Sequence, residues 1–168
     1  NPGAQACGST PSLTATASSN LAVSFTSQTP TVCTITPVGL LTPVTTGTCT
    51  IEARQAGNAA FAAATPVPQS FAIHAVPAAA PTLDSVTPGN AQVSLSFTAP
   101  SFTGGEAITS YLATSSVDGA SHTCAASPCV LTGLRNGTAY SFTLAAVTAA
   151  GTGAASAASA PVVPLLRS

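Results

Sequence analysis

Charge is the scarcest commodity in this sequence. Only 4% of its 168 residues are charged, with three Arg, no Lys and four acidic residues, for a formal net charge of −1. Ordinary globular chains carry roughly 25% charged residues. A deficit this deep excludes a basic nucleic-acid surface, an acidic tail and a polybasic membrane anchor, and it removes most acid-base catalysis. Disorder driven by charge is excluded as well.

Long apolar runs are lacking too, although 45% of the residues are hydrophobic. Ser, Thr, Pro or Gly interrupts each stretch well short of the ~20 residues that a membrane helix requires, so no membrane span is expected. No Met or hydrophobic leader opens the chain at Asn1, as in a mature product whose export signal has been removed, or in a trimmed chain.

What the chain does have is five Cys with no catalytic or metal-binding company. That usage points to an oxidising compartment, where thiols serve as structural staples, and secretion is the simplest reading. Cys33 and Cys49 sit in the similar contexts Val-Cys-Thr-Ile and Thr-Cys-Thr-Ile and are expected to pair. Cys124 and Cys129 flank Ala-Ala-Ser-Pro, where a bridge would close a tight hairpin. Cys7 is left over, as a free thiol or half of an intermolecular bridge.

Neither half of the chain carries the 3.6-residue apolar period of a helix, whereas period-two alternation recurs in short pieces. An all-β chain follows. In the first half one parity is apolar at Leu13, Ala15 and Ala17, then at Leu21, Val23 and Phe25, then at Cys33 and Ile35, Cys49 and Ile51, and Phe71 and Ile73. In the second half the sets are Val93, Leu95 and Phe97, then Tyr111 and Ala113, then Tyr140, Phe142 and Leu144. Gly, Pro, Asn and Asp punctuate them, with Asp118-Gly119 a good hairpin turn. Pro77-Ala-Ala-Ala-Pro81 reads as a short, stiff connector. The expected organisation is a sandwich over 1–76, a linker over 77–81 and a second sandwich over 82–168.

Residues 83–164 resemble a bacterial fibronectin type III domain. The resemblance rests on Leu83-Asp-Ser-Val-Thr-Pro-Gly-Asn90, Val93-Ser-Leu-Ser-Phe-Thr-Ala-Pro100, Gly104-Gly-Glu-Ala-Ile-Thr-Ser-Tyr111 and Leu131-Thr-Gly-Leu-Arg-Asn-Gly-Thr-Ala-Tyr140. It implies that Leu134 and Tyr140 form the tyrosine corner, in which a Tyr hydroxyl bonds back to nearby backbone. Phe97 stands where the family usually has Trp. Residues 12–74 resemble a secreted bacterial Ig-like repeat, carried by Leu13-Thr-Ala-Thr-Ala-Ser-Ser-Asn-Leu-Ala-Val-Ser-Phe-Thr-Ser27, Gly47-Thr-Cys-Thr-Ile51 and Gln55-Ala-Gly-Asn-Ala-Ala-Phe61. Such repeats build large bacterial surface proteins, which implies a scaffold and not an enzyme. Domains of this type open with a further strand. Asn1–Thr10 holds Pro2, Gly3 and Gly8 and shows no alternation, so an absent first strand and an unpaired edge are expected.

The inventory for chemistry is thin. His74 and His122 are the only imidazoles, one per half, without C-x-x-C or a carboxylate cluster, so no metal and no cofactor are expected. The Ser residues lie in β segments without a nucleophile-elbow sequence, and four scattered acids cannot converge on one bond. Asn136-Gly137-Thr138 fits a glycosylation sequon but reads as a turn before the Tyr140 strand. The tail Ala160-Pro-Val-Val-Pro-Leu-Leu-Arg-Ser168 is apolar, and Val162, Val163, Leu165 and Leu166 are candidates to dock into the incomplete edge of a neighbouring copy. Cys7 and the N-terminal segment are the alternative donor. The expected function is that of a non-enzymatic, extracellular cell-surface subunit that self-associates head to tail into a fibre. The alternative is a spacer or adhesive module that contacts a glycan or protein.

Overall fold

The structure, a computed structural model, describes residues 2–165, and every regular element among them is a β-strand. The chain divides into two compact units, Asn1–Val76 and Pro77–Ser168.

In the first unit, β1 (Gln5–Ala6), β2 (Ser24–Ser27), β3 (Cys33–Ile35), β4 (Leu41–Pro43), β5 (Gly47–Arg54) and β6 (Val67–His74) form two sheets. One is four-stranded in the order β1-β6-β5-β2, and the other is the β3-β4 pair. Alternation places Cys49 and Ile51 of β5 and Phe71 and Ile73 of β6 on one buried face, packed with Phe25, Cys33 and Leu41. The turn into β4 needs glycine: Gly39 has φ 101°, and a Cβ there would meet the Leu13 carbonyl oxygen at 2.1 Å.

Two expectations for this unit are corrected. The first strand is present, because β1 lies parallel to the end of β6, with Gln5 opposite Ile73 and Ala6 opposite His74, and the Cys7 N–H donates to the His74 carbonyl. A two-residue strand has no alternation to read, which is why the sequence hid it. Conversely, Leu13–Ala17 is not a strand. Ser12 makes one antiparallel bridge to Leu40, and beyond it the chain runs past the start of β4, so Ala15 is exposed.

The second unit comprises β7 (Thr82–Gly89), β8 (Gln92–Thr98), β9 (Ile108–Ser115), β10 (Ser121–Cys124), β11 (Cys129–Thr132), β12 (Phe142–Thr148) and β13 (Gly151–Ala155). Its sheets run β11-β8-β7 and β10-β9-β12-β13, and all their pairings are antiparallel. Val93, Leu95, Leu131, Phe142 and Leu144 are fully buried between the sheets. Each such side chain stabilises the fold by roughly 1.5 to 3 kcal/mol. Phe97 fills the position expected of Trp by tilting against Tyr111, with ring centroids 4.5 Å apart. Residues 77–81 are not a free connector: Ala78 and Pro81 are buried, and Ala78 accepts a hydrogen bond from the Ala154 N–H while the Ala79 N–H donates to Phe102. An Ala-rich segment reads as linker by composition, but small side chains are also what lets a backbone lie close against β13.

Candidate functional site

The disulfides position everything else. Cys33 and Cys49 are bridged with Cα atoms 5.7 Å apart, both fully buried. Cys33 lies in the small sheet and Cys49 in the large one, so the bond ties the two layers of the first unit together. Cys124 and Cys129 are bridged at 5.6 Å. The tight hairpin expected there is a correction: β10 and β11 do not pair with each other but belong to opposite sheets, and the intervening loop crosses from layer to layer. Ser127 in that loop accepts a hydrogen bond from the Phe97 N–H at 2.9 Å. Cys7 lies outside both bridges and is only 5% exposed, packed among Phe25, Phe71 and Ile73. In this position Cys7 serves as a small core side chain.

The first unit is closed at one end only. Where β5 and β6 meet β4 and the disulfide, its interior is sealed. Toward the other end, Ala53 and Val67 share the inward parity of Ile51 and Phe71, yet Val67 is 53% exposed, because the facing sheet stops at three residues per strand. The result is a groove of about 540 Å³ between Leu13–Ala17 on one side and Val23, Ala53 and Val67 on the other. Arg54 at its rim is ion-paired with Glu52. No charged side chain precedes Glu52 anywhere in the chain, so the segment that walls the groove is wholly neutral. Its backbone is also unengaged: among the described residues no hydrogen bond involves the N–H or carbonyl of Thr14, Ala15 or Thr16. Beside the groove, residues 58–70 are all exposed, including the apolar run Ala59–Ala64 with Phe61 at 50%. That loop has a defined shape. Asn58 caps it by accepting from the Ala60 and Phe61 N–H groups, and Ala64 donates to Gln55.

The tail is engaged by its own unit. Val162 and Tyr140 exchange both backbone hydrogen bonds, the Gly137 N–H donates to Pro164, and the Leu165 N–H donates to Gly89. Val162 packs on the core, Val163 is half-buried and Pro164 is buried, whereas the Leu165 side chain is 57% exposed. Leu166 lies outside the described residues. His74 ends β6 and His122 sits in β10; among the described residues no three His, Cys, Asp or Glu side chains gather, and no helix is long and apolar enough to cross a membrane.

The sequence model of the fibronectin type III domain matches residues 79–162. The chain belongs to the fibronectin type III family. Among solved structures it is similar to titin domains A168–A170, with a TM-score of 0.47 and 15% identity over 86% of this chain; it spans 55% of that fragment's length. It is also similar to the titin kinase with its flanking domains, at TM-score 0.45 and 22% identity over 54% of this chain and 18% of the other. A human cardiac muscle titin module, A71, gives TM-score 0.41 and 26% identity over 53% of this chain and 91% of its own. No curated protein matches.

In the fibronectin type III domain the Tyr140 hydroxyl accepts a hydrogen bond from the Arg135 N–H at 3.0 Å, with Leu134 buried beside it. Asn136 occupies the same corner: its amide oxygen accepts from the Ala91 N–H at 2.8 Å and its amide nitrogen donates to Asn90 at 2.9 Å. Both ends of that side chain therefore work as a turn clamp. On the β9–β10 hairpin, Asp118 accepts from the Ala120 N–H at 3.0 Å, and this bond, followed by one with Ser115, holds its carboxyl below the ordinary value of 3.8. None of these groups converges with another on a shared cavity. The sequence-based reading missed the open groove and the Phe61 loop. The signal was there in Ala59-Ala-Phe-Ala-Ala-Ala64, an apolar run too long for an ordinary exposed loop.

Proposed function

We propose that this chain is a non-enzymatic, secreted structural subunit of bacterial type, an Ig-like repeat followed by a fibronectin type III domain, which associates with copies of itself through the open side of its first domain as part of a cell-surface fibre. The observation that carries this reading is the groove beside the uncharged Leu13–Ala17 segment, a sandwich left open on one side with inward-facing Val67 half in water. Proteins normally close or charge such a side. The fibronectin type III family and the two buried disulfides support an extracellular structural role. A net charge of −1 offers little repulsion between copies.

Sedimentation velocity and electron microscopy of the full chain across a concentration series test this reading. Concentration-dependent oligomers or filaments are expected, and a monodisperse monomer at every concentration overturns it. A second reading, a spacer or adhesive module, is favoured by the exposed Ala59–Ala64 loop with Phe61. Binding of a glycan or protein array that is lost on Phe61→Ala, in a chain that stays monomeric, would select it.

A further inference from the structure

Three segments far apart in sequence meet at one corner of the fibronectin type III domain. They are the β7–β8 turn, the turn that precedes Tyr140 and the end of the tail. The Leu165 N–H donates to the Gly89 carbonyl at 3.2 Å, and the Gly137 N–H donates to the Pro164 carbonyl at 2.9 Å. Asn136 completes the corner by accepting from the Ala91 N–H and donating to Asn90. Clamp and tail therefore hold each other in place.

Asn136-Gly137 is also the single Asn-Gly dipeptide of the chain. Both residues are exposed. Asparagine is chemically labile, and a glycine that follows it puts no side chain in the way of attack. In that reaction the Gly137 nitrogen attacks Asn136 Cγ. An N–C bond forms, the Cγ–Nδ2 bond breaks, and the amide nitrogen leaves as ammonia with the proton from Gly137. Water then opens the cyclic imide to aspartate or isoaspartate. The corner engages both reacting nitrogens: the attacking N–H is bonded to the tail, and the departing Nδ2 is bonded to Asn90. We infer that Asn136-Gly137 is a deamidation site kept shut by the docked tail, and that its conversion is a one-way switch that loosens the tail's end. Neither product can donate to Asn90, because a carboxylate only accepts. The isoaspartate form also lengthens the main chain by one carbon and displaces the Gly137 N–H from the Pro164 carbonyl. Conversion adds one negative charge, which takes the formal net charge from −1 to −2.

The added charge makes the reaction measurable on the full chain, by ion-exchange separation and peptide mass spectrometry, in buffer at neutral pH and in urea. The folded parent is expected to convert at least about tenfold more slowly than in urea, since the reaction waits for these bonds to open. Asn90→Ala removes the acceptor of Nδ2 at an exposed turn position, and Pro164→Gly frees the backbone of the tail's end. Each should convert at least about threefold faster than the parent when folded, and at the parent's rate in urea. Thr109→Val deletes a hydrogen bond to Val147, near the far end of β12, and should convert as the parent does. Far-UV circular dichroism checks that the variants keep the fold. A parent that converts as fast folded as in urea overturns the protected site, and so do corner variants no faster than Thr109→Val. The converted parent, purified by its charge, should exchange the Gly137 and Leu165 amides faster than the unconverted chain. Equal protection at both amides overturns the switch.

Discussion

Replacing Cys33 and Cys49 by Ala is the most informative perturbation of the first domain. The bridge closes a loop with a sequence separation of 16, for which the chain-entropy model predicts about 3 kcal/mol. Both sulfurs are fully buried, so the substitution also opens a small cavity and the loss should reach or exceed that value. A domain of this size has roughly 4 to 11 kcal/mol of stability in all, at about 0.05 to 0.15 kcal/mol per residue. The bridge is therefore a quarter or more of what holds the domain together. Urea unfolding read by hydrogen exchange of peptides spanning β2 to β6 gives the change directly. Ile51 and Leu41 should lose protection earliest, since they flank the two sulfurs in the core. A loss under about 1 kcal/mol would refute the view that a short-stranded, half-open sandwich depends on its staple. Cys124→Ala with Cys129→Ala closes a separation of only 5 and should cost less, about 2 kcal/mol on the same scale.

Tyr140→Phe deletes the hydroxyl that accepts from Arg135 and should cost about 1 kcal/mol, a melting shift of roughly 4 to 8 °C for the fibronectin type III domain, followed by the fluorescence of Tyr111. Gly39→Ala should be far more damaging than a surface change, by more than about 1 kcal/mol, because a positive φ and a 2.1 Å approach to the Leu13 carbonyl both oppose a Cβ; denaturant midpoints decide it. The Asp118 carboxyl has its folded value lowered, so its hydrogen-bonded turn contributes above the ordinary carboxylate value of 3.8 and loses that contribution as pH falls through the folded value. Nuclear magnetic resonance titration should place Asp118 below 3.8, and Asp118→Asn should flatten the acid dependence of the hairpin amides. Expression in a glycosylating host should leave Asn136 unmodified, as mass spectrometry would report, since both ends of its amide are already bonded to Asn90 and Ala91.

Alternation was sufficient to read the strands whose two faces differ. Val93, Leu95 and Phe97, or Tyr140, Phe142 and Leu144, are buried as their parity requires, because a pleated strand sends successive side chains to opposite faces. It misled at Leu13, Ala15 and Ala17, where the parity is the same but no opposing strand exists to pair with. It was silent at Gln5–Ala6, where two residues are too few to carry a period. The pairing of Cys33 with Cys49 was readable from similar local contexts, whereas the layer-crossing path between Cys124 and Cys129 was not, because both a hairpin and a crossover bring the two Cα atoms within bridging range.

Composition and period by themselves determined the class of this protein: a neutral, sheet-forming, stapled chain with few groups for chemistry. These are local properties, set residue by residue by charge, side-chain volume and the two-residue repeat of the strand. Tertiary structure alone decided which parts are spent and which are left over. The tail, as far as Leu165, and Cys7 are held within their own domains, while Thr14–Thr16 and Val67 stay exposed. Whether an apolar residue meets a partner depends on how far the opposite sheet extends, and that length is fixed by residues distant in the chain.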